Sequence, residues 1–124
     1  MSNHPSIILY VTDPIASAEF YTQALGLTAQ YATPGFAMLN FASGVDLGLW
    51  RRDAVVPAAA NAPGAMEVAV AVPDAASLHA LHDDCLRRGT PITQDMVELG
   101  FGTAFSVADP DGHRIRFFVP RAAA

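Results

Sequence analysis

Residues 6–26 read SIILYVTDPIASAEFYTQALG. The first seven form a short apolar run of the kind found in buried strands. Asp13 and Pro14 then predict the start of a helix, because aspartate is a good N-cap and proline suits the first helical position. Apolar residues follow at helical spacing as far as Gly26, a residue type that commonly ends helices. The stretch predicts a strand followed by a helix.

The same pattern returns at residues 66–89, MEVAVAVPDAASLHALHDDCLRRG. Here Asp74 is the predicted cap of the second helix and Gly89 is its predicted end. Three short strand signals, separated by turn residues, follow each helix. They cover residues 28–32, 36–41 and 45–51 in the first half, and 91–97, 102–108 and 114–119 in the second. The sequence therefore predicts an α+β fold of two βαβββ modules with pseudo-twofold symmetry.

The predicted modules cover residues 6–53 and 65–120 of one domain. Residues 54–64, AVVPAAANAPG, are rich in alanine and proline and are predicted to be a linker.

Composition excludes several functional classes. The 124 residues have a formal net charge of −5, with seven arginines and no lysine, so we expect no nucleic-acid partner. No apolar stretch reaches the roughly 18 residues that span a bilayer, and residues 1–8 lack the layout of a signal peptide. We therefore expect a cytoplasmic protein without membrane contact. Cys85 is the only cysteine, which excludes an internal disulfide and a CxxC motif.

Strand alternation places one set of side chains on the face of each sheet that points away from its helix. That set mixes small, aromatic and charged residues, which is typical of a ligand cavity. Its members are Ser6, Ile8, Tyr10, Asp46, Gly48, Trp50, Glu67, Ala69, Ala71, Arg114, Arg116 and Phe118. For Trp50 a structural role, beneath the linker or in a subunit interface, is the alternative. The register of residues 36–41 and 102–108 stays open from sequence.

Two segments resemble a known family. VTDPIASAEFYTQALGL (residues 11–27) and FSVADPDGHRIRFFVP (residues 105–120) are similar to signature segments of the glyoxalase, bleomycin-resistance and extradiol-dioxygenase superfamily, also called vicinal oxygen chelate. The resemblance covers residues 6–120. It implies paired βαβββ modules around an open cleft, usually in a homodimer.

Enzymes of that superfamily hold a divalent metal at four inward positions, which correspond here to Ser6, Gly48, Glu67 and Arg116. Only Glu67 is a plausible ligand, because glycine has no side-chain donor and arginine brings its own positive charge. The resemblance therefore implies a site without metal or other cofactor.

The remaining metal-binding residue types do not restore a ligand set. His4 lies at the chain terminus, and His113 follows the turn Asp109-Pro110-Asp111-Gly112. His79 and His82 lie on the second helix, where we expect them to pack or to contact solvent, and Cys85 is expected in the core.

Loss of the metal is typical of the drug-binding branch, and GVDLGLW (residues 44–50) resembles phenazine- and bleomycin-type resistance proteins. The resemblance implies that Trp50 stacks on a planar ligand, with Tyr10, Phe118 and Phe101 beside it. The leading hypothesis is a homodimeric protein without catalytic residues that sequesters a planar aromatic small molecule, an antibiotic.

Two alternatives stay open. The first is a glyoxalase- or dioxygenase-like enzyme, a lyase or an oxygenase, which either recruits a metal through Glu67 and further groups or works without metal, with Glu67 as the general base. The second is a regulatory or scaffold protein with a vestigial cleft. The sequence also leaves two roles for Glu67 and Arg116. They can pair with each other, or Arg116 can receive a carboxylate or phenolate of the ligand.

Overall fold

A computed structural model of the chain describes residues 4–121. The chain divides into two compact units, Met1–Ala62 (unit 1) and Pro63–Ala124 (unit 2). The division falls inside the predicted linker.

Unit 1 is a four-stranded sheet with one helix. Its elements are β1 (Ser6–Val11), α1 (Pro14–Leu25), β2 (Thr28–Ala32), β3 (Phe36–Asn40) and β4 (Asp46–Arg51), followed by a short 3-10 helix at Arg52–Ala54. The strand order is β1-β4-β3-β2. The first and last strands pair in parallel, and the other pairs are antiparallel.

Unit 2 repeats this arrangement. Its elements are β5 (Glu67–Ala71), α2 (Ala75–Arg88), β6 (Ile92–Leu99), β7 (Gly102–Ala108) and β8 (Arg114–Pro120). The strand order is β5-β8-β7-β6, again with a parallel pair between the first and last strands. The predicted α+β fold with two βαβββ modules is confirmed.

Both helices begin at the predicted aspartates. Oδ1 of Asp13 accepts hydrogen bonds from the amides of Ile15 (3.1 Å) and Ala16 (3.3 Å), and Oδ1 of Asp74 accepts one from the amide of Ser77 (2.7 Å). These bonds satisfy amides that have no partner within the helix. The helices end before Gly26 and Gly89, also as predicted.

Each sheet buries one face against its helix. In unit 1 that face carries Leu9, Leu39, Leu47 and Leu49, and α1 contributes residues such as Tyr21. In unit 2 it carries Phe105, Val107, Ile115 and Phe117, and α2 contributes Leu78 and Cys85. Burying one such side chain stabilises a fold by roughly 1.5–3 kcal/mol. The opposite side of each sheet is called its open face below.

The parallel pairs have equivalent registers in the two units. Ser6 lies opposite Asp46 and Ile8 opposite Gly48 in unit 1, while in unit 2 Glu67 lies opposite Arg114 and Ala69 opposite Arg116. The structure also fixes the two registers that the sequence left open. It places Phe36 and Met38 on the open face of unit 1, opposite Trp50 and Gly48.

In unit 2, Ala104 and Ser106 lie opposite Phe118 and Arg116, and Phe105 belongs to the core. Neither helix within residues 4–121 has the length and apolar character needed to cross a bilayer.

Gly102 combines a positive φ with a close approach to the backbone of the neighbouring strand. Its φ is +150°, and a β-carbon there would lie 2.0 Å from the carbonyl oxygen of Val119. We expect Gly102→Ala to lower the free energy of unfolding by about 3 kcal/mol, as strained backbone positions do. Urea denaturation measures this change. Gly100→Ala is the matched control, because a β-carbon at Gly100 meets no atom within 4 Å. Equal stability of the two variants would contradict the expectation.

Candidate functional site

Four aromatic side chains form a row across the open face of unit 1. Tyr10 and Phe36 flank Trp50 on the neighbouring strands, with ring centroids 6.3 and 6.4 Å from that of Trp50. Tyr31 extends the row, 6.2 Å from Phe36. Tyr10 and Tyr31 are 36% and 47% exposed, and the other two are half-buried. This aromatic row gives the sheet an exposed apolar surface.

Gly48 lies beneath the row and is itself buried. A β-carbon at this position would lie 2.5 Å from Cδ1 of Ile8 and 2.8 Å from Cζ of Phe36. The space that the missing side chain leaves is therefore filled by two apolar neighbours within the unit. The sequence analysis expected Gly48 to leave room for a ligand, and the structure uses that room to bring Phe36 close to the backbone.

A polar cluster occupies the other end of the same face. Asp46 accepts a hydrogen bond from Nδ2 of Asn40 at Oδ1 (2.6 Å), and its Oδ2 lies 2.9 Å from Nε2 of His4. The bond from Asn40 is the largest cause that lowers the pKa of Asp46, and His4 adds to it. Ser6, the predicted polar position on β1, is exposed and lies opposite Asp46.

The open face of unit 2 carries an ion pair between Glu67 and Arg116. Nε of Arg116 donates to one carboxylate oxygen (2.7 Å) and Nη2 to the other (3.0 Å), while Nη1 donates to Oε1 of Gln94 (2.8 Å). The side chains of Arg116 and Glu67 are 12% and 33% exposed. All three donor nitrogens of the guanidinium group are thus in use, so the first of the two roles left open by the sequence is the one adopted.

This pairing affects the chemistry of both groups. The hydrogen bonds from Arg116 lower the pKa of Glu67 and outweigh the opposing effect of burial, with a smaller contribution from the charge of Arg114. The same bonds raise the pKa of Arg116. A general base near neutrality needs a carboxyl pKa shifted upward. The sequence-based idea of Glu67 as a general base assumed a raised pKa, whereas the pairing with Arg116 lowers it.

Two other predicted residues meet on unit 2. The rings of Phe101 and Phe118 are perpendicular, with centroids 5.3 Å apart. Phe101 lies in the turn between β6 and β7 and is 49% exposed.

A pocket of about 310 Å³ opens beside Glu67. Met66, Gly112 and Arg114 line it together with that carboxylate. Arg114 is exposed and makes no ion pair within the described part of the chain. Strand alternation placed Arg114 on this face without identifying it as a site residue, and the sequence did not predict the bond between Gln94 and Arg116.

The four positions that the resemblance assigns to a metal do not supply metal ligands in this chain. In unit 1, Gly48 has no donor and is covered by Ile8 and Phe36. In unit 2, Arg116 occupies both carboxylate oxygens of Glu67. Within residues 4–121, no three His, Cys, Asp or Glu side chains cluster in a way that could hold a metal ion. The donor set does not fit a divalent cation.

The remaining candidate residues make contacts within the fold of unit 2. His82 packs edge-on against Phe105, with centroids 5.0 Å apart, and its Nε2 lies 2.8 Å from Oδ1 of Asp95. Cys85 is buried on α2, and burial raises the pKa of its thiol. Asp109 holds the turn before β8 by accepting hydrogen bonds from the amides of Asp111 and His113.

Comparison with known proteins places these features in a family context. The sequence model of the Glyoxalase/Bleomycin resistance protein/Dioxygenase superfamily matches residues 3–117. No curated protein matches the chain.

Several solved structures share the fold. A protein of Agrobacterium tumefaciens, solved by NMR in solution, is 34% identical, with a TM-score of 0.85 over 98% of this chain and 100% of its own. A glyoxalase/bleomycin resistance protein/dioxygenase from Nocardioides is 26% identical, with a TM-score of 0.74 over 100% of this chain and 87% of its own. A glyoxalase-related enzyme from Fulvimarina pelagi is similar in fold alone, at 24% identity and a TM-score of 0.81 over 96% of this chain and 88% of its own.

The ion pair on unit 2 predicts a pH-dependent stability. We expect Arg116→Met to lower the free energy of unfolding by about 2 kcal/mol at pH 7, because a partly buried carboxylate loses its charged donors. The folded chain lowers the pKa of Glu67, so the contribution of the pair is present above the ordinary glutamate pKa of 4.5 and is lost as pH falls through the folded value. The difference from the parent protein should therefore shrink in urea denaturation at about pH 3.

Arg114→Met is the matched control, because Arg114 lies on the same strand and face but is exposed. Its loss should be below about 0.5 kcal/mol. Equal losses for the two variants, or a loss for Arg116→Met that does not change with pH, would contradict the prediction.

Proposed function

This chain belongs to the Glyoxalase/Bleomycin resistance protein/Dioxygenase superfamily, and we propose that it binds a planar aromatic small molecule and releases it unchanged. The observation that carries the proposal is the aromatic row of unit 1, with Trp50 at its centre. The ligand class proposed is that of aromatic antibiotics, and the proposed protein is a metal-free homodimer in the cytoplasm.

The row has the physical properties that such a ligand requires. Apolar side chains on the open face of a sheet are unusual unless they contact a ligand or another protein surface. Here Ile8, Tyr10 and Tyr31 are each at least 36% exposed, and Trp50 is half-buried beside them. Their surface suits flat rings, since aromatic groups attract each other in offset or edge-to-face contact by about 0.5–1.5 kcal/mol beyond burial of area.

The expected affinity follows from burial of apolar surface and from contacts between aromatic rings. Burial of apolar surface contributes about 25 cal/mol per Å², and one or two ring contacts add to it. A free energy of binding near −8 kcal/mol, equivalent to a micromolar dissociation constant, needs no covalent or metal contribution.

The other predicted ligand residues remain part of the proposal. Ser6 lies on the open face of unit 1, whereas Glu67, Arg116, Phe118 and Phe101 belong to unit 2. With Arg116 engaged by Glu67 and Gln94, the exposed Arg114 beside the pocket is the better receptor for an acidic group on a ligand.

One observation favours a second candidate function, a reaction that requires proton transfer. Nε2 of His4 lies 2.9 Å from Asp46 on the same face that carries the aromatic row. A carboxylate that orients an imidazole is a common arrangement in acid–base catalysis. Because Asn40 also holds Asp46, the carboxylate has a fixed position. An altered ligand, rather than a merely bound one, would reveal this activity.

The binding proposal is tested by titrating the protein with phenazine and following the fluorescence of Trp50, which is the only tryptophan. We expect saturable quenching with a dissociation constant in the micromolar range. Tyr10→Ala and Phe36→Leu should each weaken binding about fivefold, as expected for loss of one aromatic contact. Ile15→Ala is the control, since Ile15 is an exposed apolar residue on α1, away from the open face.

Absence of saturable quenching would overturn the proposal, as would equal weakening by the control variant. Mass spectrometry of the phenazine after incubation separates the two candidate functions. Recovery of unchanged phenazine supports binding alone. A modified product whose formation is lost in His4→Gln would establish the enzymatic alternative instead.

A further inference from the structure

A second pocket, of about 410 Å³, lies in unit 1 where β1 and β4 end. Thr12 borders it just after β1, and Arg51 and Arg52 border it at the end of β4. The chain then continues through the 3-10 helix to the buried Val55, which forms part of the pocket wall. The volume lies within the range of small-molecule sites.

This pocket is separate from the aromatic row. Arg51 follows Trp50 on β4, so alternation directs the two side chains to opposite faces of the sheet. None of the four rings of the aromatic row lines the pocket. A ligand here would therefore not need the surface on which the proposed function depends.

The charges of the pocket do not cancel. Arg51 pairs with Asp53 through Nε and Oδ1 (2.6 Å), but the two side chains are 46% and 75% exposed, and exposed pairs contribute little. Nη2 of Arg52 donates to the main-chain carbonyl of Asn61 (2.9 Å), a neutral acceptor. Within the described residues Arg52 has no carboxylate partner. Two arginines and one aspartate leave a surplus of one positive charge, in a chain whose net charge is −5.

The bond to Asn61 also fixes the position of the Arg52 guanidinium. It joins the start of the loop to a residue nine positions later, and Arg52 is half-buried. A guanidinium group held in one orientation loses less conformational entropy when it binds an anion. Planar carboxylates match its donors in geometry as well as in charge.

We propose that this pocket binds a small organic carboxylate. The arginines supply the charged contact, and Val55, Ala58 and Ala59 supply an apolar wall for the body of the ligand. The wall distinguishes this ligand class from inorganic anions, which present no apolar surface. The positive surplus distinguishes it from neutral aromatic molecules.

The test is a titration with sodium benzoate at constant ionic strength, followed by ¹H–¹⁵N NMR of the arginine Nε–H groups. The chain has seven arginines and no lysine, so the set of cationic side-chain signals is small. Arg51→Gln and Arg52→Gln assign the two signals of interest. We expect saturable shifts at Arg51 and Arg52 alone, with inorganic phosphate binding at least about tenfold more weakly than benzoate.

Two variants test the two parts of the pocket. Arg52→Gln should weaken benzoate binding at least about tenfold, because it removes the fixed charge. Ala59→Leu keeps both arginines and fills the pocket beside the apolar wall, so it should also weaken binding about tenfold. Arg88→Gln is the control for loss of one exposed arginine, and it should leave the affinity unchanged.

If the signals of all arginines shifted together and without saturation, benzoate would only be screening their charges, and the proposal would be overturned. Unchanged affinity in Arg52→Gln, or tighter binding of phosphate than of benzoate, would also overturn it. Tyr10→Ala should bind benzoate normally, and Arg52→Gln should bind phenazine normally. Failure of either proposed site is thereby distinguished from failure of the other.

Discussion

Parallel pairing between the first and the last strand of each unit determines which side chains meet on the open faces. A slip of one residue would exchange the two faces of a strand, turning Leu47 and Leu49 outward and burying Asp46. The apolar face of each helix prevents this slip, since it requires the leucines of unit 1 and the phenylalanines of unit 2 on its own side. The aromatic row and the Glu67–Arg116 pair are both consequences of a register fixed on the opposite, buried face.

The two units share one backbone arrangement but carry chemically different side chains on their open faces. Gly48 and Arg116 occupy equivalent positions in the parallel registers. In unit 1 the backbone there is covered by apolar groups from Ile8 and Phe36, and glycine adds no polar side-chain atom that needs a partner. In unit 2 a guanidinium group lies at the equivalent place, and each of its three nitrogens donates one hydrogen bond to Glu67 or Gln94. One face therefore offers apolar surface and the other a neutralised ion pair. This difference favours the open face of unit 1 as the surface on which an apolar ligand would be bound through burial of its area.

Local signals made most of the fold predictable from sequence. Capping by Asp13 and Asp74 depends on residues only two or three positions away, and strand alternation depends on nearest neighbours. The site was predictable only in part. Phe36 could be placed beside Trp50 only once the β3–β4 pairing was known, because the sequence left that register open. Gln94 lies in a strand with two register shifts, which break the alternation that would have revealed its direction. The position of the Arg52 side chain depends on its hydrogen bond to the carbonyl of Asn61. That contact lies in a loop, where no helical or strand periodicity reveals it.

The covering of Gly48 also restricts how this protein can change over generations. A histidine or glutamate at position 48 would bring its first side-chain carbon against Ile8 and Phe36. The contacting atoms, Cδ1 of Ile8 and Cζ of Phe36, are the far ends of flexible side chains, so both side chains can turn aside, but the packing of the aromatic row then changes. The effect of a substitution at position 48 is therefore coupled to the side chains present at positions 8 and 36. The aromatic row of unit 1 therefore depends on the absence of a side chain at position 48, and any residue with a β-carbon there would rearrange it.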